Sequence, residues 1–183
     1  MSVLSLAQRI TAIDTALRKV PHAFGGALAL AYYAEPRATI DIDLNVFVPA
    51  SEYDRVAAPL RSLGAHTDDP SIVEIAERDG QVRVMWDTTP IDLFFAYDEF
   101  HTAAGRACRS VPFADSSIPI LGPEHLLVCK ALFNRAKDWV DIDAVLALGT
   151  AVDAAEVLRW VGRIAGDDDP RYERIVAVLT RRG

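Results

Sequence analysis

The segment Ala38-Thr-Ile-Asp-Ile-Asp-Leu-Asn-Val-Phe-Val48 constrains this chain more than any other, because β-branched residues alternate there with carboxylates. Side chains in a strand have a period of two, so Thr39, Asp41 and Asp43 share one face while Ile40, Ile42 and Leu44 share the other. The apolar face requires a core to pack against. Aspartate is a poor strand former, and two carboxylates side by side repel unless something positive lies near them. A hard, oxygen-seeking divalent ion meets that need most simply, so Asp41 and Asp43 are expected to hold Mg²⁺ or Mn²⁺. A third acid, Asp92, lies in the similarly apolar run Pro90-Ile-Asp-Leu-Phe-Phe95. On a neighbouring strand it would join the pair as a ligand or as the base for an incoming hydroxyl.

The 183 residues are enough for a well-buried core, and a composition of 51% hydrophobic and 25% charged residues is that of a folded globule. The longest apolar stretch, Ala23 to Ala34, is shorter than the roughly 20 residues a membrane span needs. The first ten residues lack the basic start, apolar run and cleavage site of a signal peptide, which places the protein in the cytoplasm as an expectation. Cys108 and Cys129 have neither metal spacing nor a disulfide pattern, and His22, His66, His101 and His125 are scattered. A net charge of −7 argues against binding nucleic acid through a general basic surface. Arg159, Arg163, Arg171, Arg174, Arg181 and Arg182 crowd the C-terminal end, where a solvated helix face is the first explanation.

The periodicities predict helices over Leu4–Val20 and Ala27–Ala34, and another over Glu52–Leu63 that Ser51 could cap. Strands are expected at His22–Phe24, Arg37–Val48, Ile72–Arg78, Gln81–Trp86 and Ile91–Ala96. Asp79-Gly80 reads as the hairpin turn between two of them. Asp87 and Asp98 read as turn residues. Ser110–Leu121 is expected as an edge strand or linker broken by prolines, leading to a helix start at Gly122-Pro-Glu. Helices follow over Pro123–Asn134, Asp138–Leu148, Ala154–Ala165 and Pro170–Arg181. The expected fold class is therefore α/β (α+β): a mixed sheet flanked by helices over residues 1–121 and a helical bundle over 122–183.

Two further features join the acids. Gly25-Gly26 separates a short strand from a helix, where backbone amides can face a phosphate. Lys130 falls on the same helix row as Leu126, Leu127 and Asn134, so it points inward and needs an anionic partner, for which a triphosphate qualifies. Arg135, Lys137, Asp138 and Asp141 follow at a break between helices.

In their order, Gly25-Gly26, Tyr32-Tyr33, Pro36-Arg-Ala-Thr-Ile-Asp-Ile-Asp-Leu44, Lys130-Ala-Leu with Arg135, and Lys137-Asp-Trp with Asp141 resemble the nucleotidyltransferase toxins of the AbiEii and MenT type. The likeness covers roughly residues 20 to 145. It implies a minimal polymerase-β-like nucleotidyltransferase core, Mg²⁺, and transfer of a nucleoside monophosphate from an NTP, in MenT toxins onto the 3′ end of tRNA. By the same resemblance Asp41 and Asp43 hold the metal, Lys130 or Lys137 contacts the triphosphate, and Asp141 in the helical region completes the site. Gly25, Gly26, Arg37, Thr39 and Arg135 are the expected nucleotide-binding residues. Thr39 matches a Ser or Thr that such toxins can carry phosphorylated when an antitoxin silences them. A phosphate there would set about two negative charges against the Asp pair.

The expected function is thus a Mg²⁺-dependent toxin of a toxin–antitoxin pair that modifies tRNA and blocks translation, with NTP, tRNA and an antitoxin as partners and no membrane. Lysine is scarce, at Lys19, Lys130 and Lys137 only, so tRNA binding would rest on arginines. A second reading keeps the chemistry but takes an aminoglycoside-like small molecule or a protein as acceptor. A third is a catalytically silent protein that binds a nucleotide or a partner.

Overall fold

The computed structural model describes residues 4–181. The chain forms two units, one of Met1–Leu28 with Ala38–Leu121 and one of Ala29–Arg37 with Gly122–Gly183. The chain leaves the first unit inside the short helix α2 (Gly26–Leu30) and returns to it at Ala38.

The alternating segments of the first unit become strands β1 (His22–Phe24), β2 (Ile42–Val46), β3 (Ala65–His66), β4 (Gln81–Trp86), β5 (Thr89–Phe95), β6 (Arg109–Phe113) and β7 (Ser116–Ile120). They form one sheet in the order β3-β4-β5-β2-β1-β7-β6. It is mixed, as expected: β2 runs parallel to β5 and β1 parallel to β7, and the other neighbours are antiparallel. The acidic strand β2 is central. Its Ile42, Leu44 and Val46 are at most 2% exposed, and Ile91, Leu93 and Phe95 beside them on β5 are fully buried. That shared greasy face holds the acids opposite it in register.

Helix α1 (Leu6–Ala16) buries Ile10 and Ile13, and Ser5 and Gln8 cap it reciprocally, so it is shorter than the expected Leu4–Val20. The expected helix Ala27–Ala34 likewise contracts to α2. Helix α3 (Tyr53–Ser62) follows a 3-10 turn at Ala50–Glu52, and its N-cap is Glu52 rather than Ser51, without a side-chain cap bond.

Ile72–Arg78 is not a strand but lies within helix α4 (Pro70–Asp79). Asp69 caps it by accepting from the Ser71 N–H at 2.9 Å, Pro70 presets its first turn, and Gly80, at φ 67°, ends it in the left-handed region. These end signals outweigh the β-preference of Ile72 and Val73. Asp79-Gly80 is accordingly a helix end, and the hairpin turn lies at Asp87-Thr88 between β4 and β5, with Asp87 at φ 52°. Asp98 caps helix α5 (Glu99–Arg106), unforeseen in the sequence, by accepting from the His101 N–H at 3.2 Å.

The expected strand Arg37–Val48 narrows to Ile42–Val46, so Asp41 lies just outside it. The reason is the partner: Ile42 pairs with Ile91, and the preceding Pro90 has no N–H to continue the ladder. Ser110–Leu121 is neither a linker nor a single edge strand. It folds into the β6–β7 hairpin, turning at Ala114 (φ 49°), with only β6 at the edge.

The second unit holds α6 (Pro123–Phe133), α7 (Ala136–Ala147), α8 (Ala154–Ala165) and α9 (Pro170–Thr180), and α6 packs against the other three. Its core includes Trp139, Ile142, Val145, Val157, Val161 and Ile175. Gly122 and Pro123 start α6 as expected. The C-terminal arginines are largely engaged locally: Arg159 with Glu156, Arg171 with Asp169, and Arg174 over the Trp139 ring at 4.2 Å. Arg182 lies outside the described residues. Among those residues no helix is long and apolar enough to cross a membrane.

Candidate active site

Register builds the acidic face of the first unit. Asp43 on β2 stands opposite Asp92 on β5, and Asp92 stands opposite Arg83 on β4, making one row across three strands. Like charges directly opposite each other destabilise a sheet. Arg83 offsets this: its Nε donates to Asp92 Oδ1 and its Nη2 to Asp92 Oδ2, both at 2.7 Å, and Nη2 also lies 3.6 Å from Asp41 Oδ2. The guanidinium pKa stands above its ordinary value, first through the hydrogen bond to Asp92 and then through the charges of Asp92, Asp41 and Asp43. Thr39 Oγ1 accepts from the Asp41 backbone N–H at 3.2 Å, bracing the residue that precedes β2.

The glycine pair serves this face directly. The Gly25 N–H donates to the Asp43 carbonyl at 2.9 Å, and Gly26 adopts φ 51°. A Cβ on Gly26 would overlap the Asp43 carboxylate, and one on Gly25 would come within 2.8 Å of Asn45 Nδ2. Only glycine at position 26 leaves room for the Asp43 carboxylate where it stands.

Asp41, Asp43 and Asp92 offer hard carboxylate oxygens, the donor type that suits Mg²⁺ or Mn²⁺. The face already holds a cationic group, the Arg83 guanidinium, so the residues fit a cation by chemistry. In the geometry shown, no three His, Cys, Asp or Glu side chains among the described residues converge tightly enough to hold a metal ion.

The second unit gathers the remaining predicted residues around α6 and α7. Asn134 ends α6 in the left-handed region at φ 56° and accepts from Trp139 Nε1 at 2.8 Å, which fixes the break between the helices. Lys130 points inward as expected, only 4% exposed, but its anionic partner is Asp141, with Nζ donating to Oδ2 at 2.6 Å. Arg37 also donates to Asp141, at 3.2 and 3.1 Å. Burial pushes the Asp141 pKa up, but hydrogen bonds and charge from Arg37 and Lys130 outweigh it and hold the carboxyl below its usual value. Asp138 is fully buried and takes the Arg135 backbone N–H at 3.1 Å and its Nε at 2.7 Å. Lys137 is exposed on the first turn of α7.

Arg83, on the acidic face, is not among the residues the sequence singles out. Its signal was present, because a turn at Asp87-Thr88 sets Trp86 opposite Thr89 and three steps back places Arg83 opposite Asp92.

The family model described as "Nucleotidyl transferase AbiEii toxin, Type IV TA system" matches residues 12–180. The fold is similar to the solution structure of the antibiotic-resistance factor ANT(2″)-Ia, with a TM-score of 0.63 and 16% identity over 96% of this chain and 95% of that one. It is also similar to the crystal structure of ANT(2″)-Ia with adenylyl-2″-tobramycin, with a TM-score of 0.53 and 17% identity over 97% and 98% of the two chains. An antigenic nucleotidyltransferase-like protein from Paracoccidioides brasiliensis matches with a TM-score of 0.54 and 15% identity over 96% and 87%. No curated protein matches the sequence. With the family matched over nearly its whole length, this chain belongs to the AbiEii nucleotidyl transferase toxins and is an enzyme of the nucleotidyltransferase class.

Proposed function

We propose that the protein transfers a nucleoside monophosphate from an NTP to the 3′ end of tRNA, as the toxin of a toxin–antitoxin pair. The observation that carries this reading is the register that sets Asp43 beside Asp92, with Asp41 next to them, on the acidic face of a sheet whose other face is buried. Asp41 and Asp43, with Asp92, would hold Mg²⁺ or Mn²⁺, which when bound supplies charge stabilisation at the phosphates. Asp92 orients the acceptor hydroxyl and takes its proton. Gly25 and Gly26 let the backbone come close to Asp43 and to a phosphate. Lys137, exposed on the first turn of α7, is the proposed cation for a triphosphate, with Arg135 beside it as a second. Arg135 is bonded to Asp138, as Lys130 is to Asp141, but is exposed where Lys130 is buried. Thr39, bonded to the Asp41 backbone, is the proposed phosphorylation site through which an antitoxin acts.

The similarity to a structure holding adenylyl-2″-tobramycin, together with the −7 net charge, favours a small cationic acceptor as the second reading. One experiment separates the two. The protein is incubated with Mg²⁺, each α-labelled NTP, total tRNA and, in parallel, an aminoglycoside panel. Label on tRNA that falls by about a hundredfold or more with Asp41→Asn is the expected result. Label on the aminoglycoside alone would move the assignment to the second reading, and label on neither would sink both.

A further inference from the structure

Arg83 has no part in the roles above, yet it makes a two-pronged polar contact on the acidic face. Its fork takes both Asp92 oxygens at 2.7 Å in the bidentate geometry that makes guanidinium–carboxylate pairs strong. The same Nη2 reaches towards Asp41, so one cation spans two of the three acids. We propose that Arg83 is a resident counter-ion that competes with the divalent cation and must give up Asp92 before the metal site forms. The inference rests on the metal-binding reading given above.

Two observations carry it. First, a metal ion would sit about 2.1 Å from a carboxylate oxygen, and a dication there repels a guanidinium bonded to the same group. With both Asp92 oxygens taken by the fork, a dication approaching that carboxylate meets the guanidinium at close range whichever oxygen it takes, so the two cations compete for Asp92. Second, the Arg83 side chain is 54% exposed, while Val82 and Val84 on either side of it are buried. The strand holds its backbone, and the long side chain is free to move into solvent without disturbing the core. The pair thus stabilises the acidic face without metal and is replaceable when one arrives. A protein built this way binds divalent ions weakly on its own.

The test uses the full-length protein and Mn²⁺ or Mg²⁺ alone. Mn²⁺ affinity is measured by electron paramagnetic resonance for the wild type, Arg83→Gln and Arg83→Lys, each first shown to melt cooperatively. Arg83→Gln removes a positive charge that repels the dication across a few ångströms, and is expected to bind Mn²⁺ about tenfold more tightly. A resident hydrogen-bond partner that only braced the ligand would instead weaken binding when removed. Arg83→Lys, which keeps the charge but loses the fork, should fall between. In the wild type, the ¹⁵N signal of Arg83 Nε should shift as Mg²⁺ is added, and should stay still in Asp43→Asn. Equal Mn²⁺ affinity in the wild type and Arg83→Gln, or an Arg83 signal unmoved at saturating Mg²⁺, overturns the proposal. If the wild type binds Mg²⁺ and transfers nucleotide while that signal stays still, this inference alone fails. If none of the three proteins binds Mn²⁺, the metal-binding reading fails with it.

Discussion

Gly26→Ala is expected to abolish nucleotidyl transfer while leaving a folded protein. The new methyl group would occupy the space of the Asp43 carboxylate, and φ 51° disfavours any residue with a Cβ. The backbone penalty is about 1–2 kcal/mol, small against the stability of a chain this size. The carboxylate is less forgiving, because a displacement of about 1 Å at a reacting centre can cost about a hundredfold in rate. The variant should therefore melt only a few degrees lower and yet show activity down by a hundredfold or more, roughly the loss expected of Asp43→Asn. Thermal unfolding and the labelled-NTP assay, run side by side, check the two halves. An active Gly26→Ala protein would show that Asp43 need not stand where the glycine lets it.

Asp141→Asn is expected to give the largest loss of stability. Lys130 is buried and Asp141 is its nearest anion, with Asp138 Oδ1 farther off at 3.9 Å. Removing one partner of a buried pair costs about 3–5 kcal/mol, because the other charge is left in a poor solvent. In a protein of this length that lowers Tm by roughly 6–20 °C. Lys130→Met in the same chain should recover much of the loss, since an apolar replacement of a buried pair is often neutral. The pH dependence has a definite sign. The Asp141 pKa is lower in the folded state than its value of about 3.9 in an unfolded chain. Its stabilisation is thus present above that unfolded value and lost as pH falls through the folded one. Wild-type and Asp141→Asn melting temperatures should therefore converge in acid, and parallel curves down to pH 2 would contradict this account of Asp141.

The sequence made the acidic face legible because a period of two is a local property: Ile42 and Leu44 are buried as expected and Asp43 lies on the opposite face, whereas Ile40, expected to pack with them, precedes the strand and is 73% exposed. Asp92 was legible for the same reason. What the sequence concealed were pairings that depend on end signals. Reading Ile72–Arg78 as a strand put the hairpin turn at Asp79-Gly80, so the register that sets Arg83 against Asp92 was not drawn. The Asp69-Pro70 start and the Gly80 end favoured a helix, but Ile72 and Val73 hid it. Lys130 was rightly seen to point inward. Its partner Asp141 lies 11 residues on, across the left-handed Asn134 that joins two helices, and no single-helix periodicity carries a contact across such a break. Arg37, expected among the nucleotide-binding residues, bonds to Asp141 from 104 residues away.

The membership of Ala29–Arg37 in the helical unit also governs the order in which a growing chain can fold. Phe24 pairs in register with Ile120, so β1 gains its second neighbour only after nearly a hundred more residues have left the ribosome. Residues 29–37 wait longer still, because the helices they belong with begin at Pro123. Leu30, Tyr33 and Ala34, all buried in the finished protein, stay exposed through that interval. A fragment ending at Leu121 would contain every strand and still carry this greasy strap, and it should aggregate where the full chain stays dispersed.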